Sequence, residues 1–433
     1  MKIRIPYLNS LPEKDLLLTF LLTPLWWVLG FNIFVYQLVT YVAFVKLMAV
    51  LLESNRSLKI PVPALWFGLF LLSFASSIII NIPNYPIERI FSSANHWLIF
   101  IMGFLLTLIV YHLDSRQMFL EFSRICWILC GVTGFSAIAF LSLWFLGYKN
   151  VEFPSLVGLV APSLNEYPFF SLFTIVRLIS SDWLSVELPR LSVYSAVQTA
   201  TGGFLIMILP LGIAYLRLKN KNIWVRLPVL AASSIALFFS LSRTAICAFF
   251  AAASFVWFLE KRNKMSFSLI ALMLTFFTSG KIYEGLIWLL NLRLESTIGR
   301  LEIYSDALKI LREENPIMGV GVRPRNEFTM MAVGSHSTYL GILLVAGFLG
   351  LILFTLFQFT IFSSWLKQKS FMKDQEQRTA WRYLGISFIG SAIWFLTDTL
   401  DTLPFVAYTY FLIVASILSL GRSSRVDHEY GLS

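Results

Sequence analysis

Apolar runs of about 20 residues recur along this chain of 433 residues, and nothing else narrows its possible folds so far. A run of that length crosses a hydrocarbon core about 30 Å thick as a single helix. In lipid, only helices and closed barrels pair every backbone N–H and C=O. Hydrophobic residues make up 57% of the chain and charged residues 13%, a balance foreign to soluble domains. The fold class expected is all-α, a polytopic membrane protein forming one integral membrane domain over 1–433.

Twelve spans are predicted, near 16–31, 33–52, 63–80, 93–111, 125–147, 201–216, 227–242, 244–260, 265–280, 338–366, 383–397 and 404–420. The span from 338 is long and is expected to tilt or kink around Gly347 and Gly350. Cytoplasmic loops carry an excess of Lys and Arg. With both termini cytoplasmic, Arg217, Lys219, Lys221 and Arg226 fall inside, as do Lys367, Lys369, Lys373, Arg378 and Arg382. The three short outer loops hold only Arg89 and Arg243. Topology thereby accounts for the net charge of +10, and no nucleic-acid partner is called for. The basic N-terminus "MKIRIPYLNSLPEKD" has no small-residue cleavage site, so no removable signal peptide is expected. Cys126, Cys130 and Cys247 stand in apolar stretches without a CxxC or a neighbouring histidine. Buried free thiols are expected, not a metal site or a disulfide framework.

Two outer segments are long, 148–200 and 281–337. In the first, "PFFSLFTIVRLISSDWL" carries Arg177 near its centre and is expected to lie on the outer leaflet as an amphipathic helix. In the second, "GRLEIYSDALKILREENP" sets Leu301, Tyr304, Leu308 and Leu311 at helical spacing among charged residues. Pro316 ends that helix, and "GVGVRP" supplies a turn back to the membrane.

The groups that could do chemistry gather on the outer side. Arg243, in "FFSLSRTAICAFF", either snorkels to lipid phosphates or serves an anion site. Guanidinium forks match phosphate oxygens and stay charged at any relevant pH. Arg300 opens the loop helix, where backbone N–H groups also favour anions; a solvated face residue is the plainer alternative. Arg190, Arg323 and Arg325 are weaker candidates for substrate contact. His336, in "VGSHSTYLGILLVAGFLGL", either caps a helix or handles a proton. A neutral imidazole accepts a hydroxyl proton near neutral pH, and nearby arginines would hold it neutral. Asp398 and Asp401, in "LTDTLDTLP", could contact an acceptor sugar or pair with a loop arginine, a solvated turn being the bland reading. The outer loops show no carboxylate pair at ligand spacing, so neither a metal nor a cofactor is expected.

"SLSRTA", then "GRLEIYSDALKIL" and "NPIMGVG", then "GSHSTYLGILLVAGFLGL" together resemble the signature of the O-antigen ligase and O-antigen polymerase superfamily over roughly 190–360. That resemblance implies a GT-C-like membrane fold and metal-independent transfer of a glycan from undecaprenyl pyrophosphate to an acceptor hydroxyl. It also implies a bacterial inner membrane, with the active site facing the periplasm or exterior. By position, Arg243 and Arg300 would hold the pyrophosphate, and His336 would activate or orient the acceptor. Ser337 departs from the asparagine often found after the histidine, and "RLSVYSAVQT" lacks the glycine and Pro–Asn often seen after the arginine matching Arg190. The expected partners are a lipid-linked glycan donor, a glycan or lipid acceptor such as lipid A–core, and the bilayer. A polymerase using a lipid-linked repeat as acceptor is the first alternative. A transporter or flippase is the second; transporters place their sites near the midplane on broken helices.

Overall fold

The computed structural model describes residues 12–113, 115–166, 173–181, 188–194, 197–219, 222–261, 294–325, 332–334, 336–372, 374–401 and 403–429. Helices dominate them. The first predicted span is broken into α1 (Pro12–Leu21) and α2 (Thr23–Leu29). Pro24 has no N–H to give to the Phe20 carbonyl, and the Thr23 hydroxyl donates to that oxygen instead, at 2.7 Å. There follow α3 (Val35–Glu53), α4 (Val62–Asn81), α5 (Ile87–His112) and α6 (Ser115–Phe145). Lys46 of α3 forms an ion pair with Asp15 of α1, which supplies the partner that a cation at this depth requires.

The first long loop departs from expectation. Its central segment is a strand, not a surface helix: β1 (Val151–Pro154), β2 (Ile175–Ser181) and β3 (Pro189–Leu191) form an antiparallel sheet in that order, with the short helix α7 (Leu156–Val160) after β1. Ile175, Val176 and Ile179 are β-branched and fit a pleated surface better than a helix. Arg177 lies opposite Glu152 in the register and pairs with it at 3.0 Å, so the charge expected at the centre of an interfacial helix serves a cross-strand pair.

The remaining helices are α8 (Gln198–Leu218), α9 (Ile223–Phe239), α10 (Arg243–Lys261), α11 (Leu294–Glu313), α12 (Thr338–Gln368), α13 (Gln375–Trp394) and α14 (Pro404–Glu429). Eight described helices are long and apolar enough to cross a membrane, fewer than the twelve spans expected. The difference has identifiable sources. The first span is split, residues 226–239 make a shorter apolar helix, α13 opens on the polar run Gln375–Arg378, and 265–280 lies outside the described residues. Of the cysteines, Cys126 and Cys130 are buried as expected, but Cys247 is exposed.

The core centres on α14, where nearly every residue from Phe405 to Leu420 is buried. Phe67, Phe70, Phe100, Phe354, Phe357 and Phe411 form a continuous aromatic cluster beside it, with Phe67 and Phe357 stacked at 4.5 Å. In lipid such packing works through dispersion and close approach, because the tails are as apolar as the side chains.

One feature shapes the loop-bearing end of the bundle. The helix α12 is broken at Gly347, which holds φ 66°, ψ −169°, a conformation essentially restricted to glycine. The turn Pro316–Gly321 fits into the break. Val320 and Gly321 donate to the carbonyls of Leu344 and Val345, while Phe348 and Leu349 donate to those of Pro316 and Ile317. The groups freed by the break are thereby paired, as burial demands. The same turn packs against the end of α4, where the Asn81 amide donates to the Gly319 carbonyl. The break therefore lies level with the end of α4, and residues 348–368 give about 31 Å of helix, enough to cross. The kink expected at Gly347 is thus a true interruption, with a half-helix over 338–346. A Cβ on Gly347 would sit 2.1 Å from the Ile317 oxygen. Gly347→Ala is accordingly expected to destabilise by at least about 1–3 kcal/mol from backbone strain, read as a lower melting temperature in detergent.

Candidate functional site

Three arginines reach one place from three elements. Arg190 is on β3, Arg243 is the first residue of α10, and Arg300 is on α11. Arg243 is delivered by the turn Ser240–Ser242, in which Leu241 takes φ 50°. That turn presses on α8 so closely that a Cβ on Gly202 would lie 2.7 Å from the Ser242 Cβ. The helix start at Arg243 adds backbone N–H groups that favour negative charge. Arg300 does not share that advantage. The helix α11 begins at Leu294, so Arg300 stands well inside it and acts through its guanidinium alone.

Electrostatics record the convergence. Burial lowers Arg190 to about 10, and the charges of Arg300 and Arg243 push the same way while Asp398 opposes them. Cations crowded like this need an anion to be comfortable. Burial raises Asp398 to about 6, against the pull of a Thr199 hydrogen bond and of Arg300 and Arg190. The Thr199 hydroxyl donates to Asp398 Oδ1 at 2.8 Å, and the Trp394 side chain also favours the ionised form. Burial, then Arg300, lowers His336 to about 4.

His336 is held by its backbone. The Tyr304 hydroxyl donates to the His336 carbonyl at 2.8 Å, tying α11 to the start of α12. The helix cap is Ser337, whose side chain accepts from Leu340 N, so the imidazole is not spent on capping. Thr338 N donates to the carbonyls of Phe395 and Asp398, and its hydroxyl bonds Asp398 O at 2.9 Å. These bonds fix the α13–α14 turn against the histidine.

The other candidates separate from this group. Asp401 is buried rather than solvated, and Arg323 pairs with it at 2.8 Å with side-chain exposures of 5% and 1%. His96 Nδ1 bonds the Asp401 carbonyl at 2.8 Å. Arg323 and Asp401 thus brace the turn beneath the site and have no face open to a substrate. Arg325 is exposed, and its charge acts on Arg89. The buried face of α11 also differs from the one expected: Ile303, Ala307 and Leu311 are buried, whereas Leu301 is 61% and Leu308 53% exposed. Ala307 is the reason, since its small side chain lets α11 pack closely on Val320, Val333 and Leu344. Tyr304 and Thr199 hold His336 and Asp398, contacts that sequence reasoning missed. Tyr304 stands one turn after Arg300, the only signal that could have marked it.

An active form needing ionised Asp398 would lose activity as pH falls through about 6. Asp398→Asn is expected to flatten that limb of a rate–pH profile and to lower the rate throughout.

No curated protein sequence matches the chain. Residues 228–355 match a family model described as O-antigen ligase. That stretch includes Arg243, Arg300 and His336, while Arg190 and Asp398 join the cluster from outside it. That match, over less than a third of the chain, agrees with the ordered motifs and the membrane-helix content in its similarity to the O-antigen ligase and O-antigen polymerase superfamily.

Proposed function

We propose that the protein is a ligase-type glycosyltransferase, moving a glycan from undecaprenyl pyrophosphate to an acceptor hydroxyl on the outer face of a bacterial inner membrane. The observation that supports this best is the convergence of Arg190, Arg243 and Arg300 with His336 and Asp398 at the loop-bearing end of the bundle. The Lys and Arg excess in the opposite loops argues that this end faces outward.

In this reading the guanidinium groups bind the pyrophosphate as forks. The acceptor hydroxyl attacks the anomeric carbon, the bond from that carbon to the pyrophosphate oxygen breaks, and the arginines stabilise the charge on the leaving group. The hydroxyl proton goes to His336. Burial, with Arg300 adding to it, keeps that imidazole neutral in the free protein. A bound pyrophosphate cancels the arginine charge and lifts the imidazole toward its ordinary range, where it is a stronger base. Asp398 balances Arg190 and orients the acceptor.

Transport is less well supported. The break in α12 resembles those of transporters, but the turn Pro316–Gly321 already occupies the Leu344 and Val345 carbonyls, groups that a transporter would offer to an ion. The deciding experiment gives purified protein an undecaprenyl-pyrophosphate glycan with lipid A–core and lipid-linked acceptors offered separately. Product on lipid A–core is expected. Product only on the lipid-linked acceptor makes the protein a polymerase, and no product on either rejects the transferase reading.

A further inference from the structure

A cleft of about 430 Å³ opens beside the docked turn, lined by Asn81, Asn84, Tyr85, Glu314 and Asn315. Its floor is fixed. The Asn81 amide bonds the carbonyls of Ser77 and Gly319, and Asn315 Oδ1 accepts from Met318 N. The Tyr85 hydroxyl donates to Glu314, 3.2 Å from Oε1 and 3.1 Å from Oε2. Asn84 is exposed and the Asn315 side chain half-buried; both line the opening, with the Asn84 amide donating to Asn81 Oδ1 at 3.4 Å.

The chemistry of this lining selects a ligand. Its side chains are all hydrogen-bonding groups, so an apolar lipid tail would strip water from them without replacing it. Glu314 repels phosphate, and among the described residues the lining holds no Lys or Arg. Planar amides, a carboxylate and an aromatic ring instead suit a ligand rich in hydroxyls. The volume falls within the ~300–1,000 Å³ of pockets that hold small organic molecules, room for more than one sugar ring. Glu314 follows the end of α11 and Arg300 lies 14 residues earlier on the same helix, about 21 Å along its axis. A glycan whose reducing end sits at the arginines would reach the cleft with sugars farther along.

We propose that this cleft is a glycan subsite that takes an uncharged or amine-bearing stretch of sugars, of donor or acceptor, at a distance from the reacting bond. The proposal rests on the glycan-transfer reading above and adds to it a second point of contact. Such a contact would help set which glycan is accepted, because a site built to bond hydroxyls discriminates strongly against a ligand lacking them.

The test uses the full chain in detergent and two probes. One is the oligosaccharide released by mild acid from the host's own undecaprenyl-pyrophosphate glycan; the other is inorganic pyrophosphate. Asn84→Ala and Glu314→Gln are each expected to weaken oligosaccharide binding about three- to tenfold, the effect of one lost hydrogen bond, and to leave pyrophosphate binding intact. Retained pyrophosphate binding also reports a folded variant, and Glu314→Gln changes no volume. Oligosaccharide binding unaltered in both variants, or undetectable in the parent protein at millimolar probe, overturns the subsite. In the transfer assay, a raised KM for the lipid-linked donor or for the acceptor tells which of the two the cleft holds. Failure of the transferase reading shows differently, as no transfer by the parent protein, and leaves the binding measurement to decide the cleft on its own.

Discussion

Arg300→Ala is expected to lower the proposed glycan transfer by about 10²–10³-fold, the loss typical of one preorganised donor to a developing anion, with membrane abundance unchanged. Arg300 is the hub of the cluster: its charge acts on Arg190, Arg243, Tyr304, His336 and Asp398. Its removal has signs that can be checked separately. His336, now held down to about 4, rises toward its ordinary value, because one cause of the depression is gone. Asp398, now about 6, also rises, because a cation that favoured its ionised form is gone. The acid limb of the rate–pH profile should therefore move to higher pH in the variant. His336→Ala, by contrast, would remove the proposed base and is expected to cost about 10²–10⁴-fold without moving pyrophosphate binding far. Transfer assays on purified protein, at matched amounts, check both. Parent-like rates in either variant would take that residue out of the mechanism.

The second large effect concerns stability. Arg323→Met leaves Asp401, 1% exposed, as a buried carboxylate without its cation. Breaking a buried pair from one side costs about 3–5 kcal/mol, so the variant should melt much earlier in detergent and accumulate poorly in membranes. The double variant Arg323→Met/Asp401→Asn should recover part of the loss, since an amide costs less to bury than an unpaired charge. Equal melting of parent and Arg323→Met would mean that the pair contributes nothing to holding the turn. The distinction from Arg300 is sharp: one arginine is expected to fail in chemistry and the other in folding, although both belong to the same loop.

Much of this was legible in the chain. The apolar runs gave the helical membrane class, because length and composition alone decide whether a segment spans lipid. Arg243, Arg300 and His336 were legible as candidates because charged or titratable groups are rare in such a sequence, and the fold brings them together with Arg190 and Asp398. What stayed hidden depends on partners distant in sequence. Arg323 and Arg325 look alike two residues apart, yet one is buried on Asp401 and the other is exposed. The strand β2 was read as a helix because its partners lie 20 or so residues away on one side and about ten on the other. The face of α11 was misjudged because two sets of residues share helical spacing, and only the close approach allowed by Ala307 chooses between them.

The four backbone hydrogen bonds between Pro316–Gly321 and the break in α12 mortise that turn into the membrane core. Such a joint opens all at once or stays shut, so amides of residues 317–321 and of residues 344–349 should exchange with solvent as one cooperative unit. A turn fastened this way does not swing as a gate, so in the proposed reaction substrates would come and go around it, sideways from the lipid or down from the aqueous side.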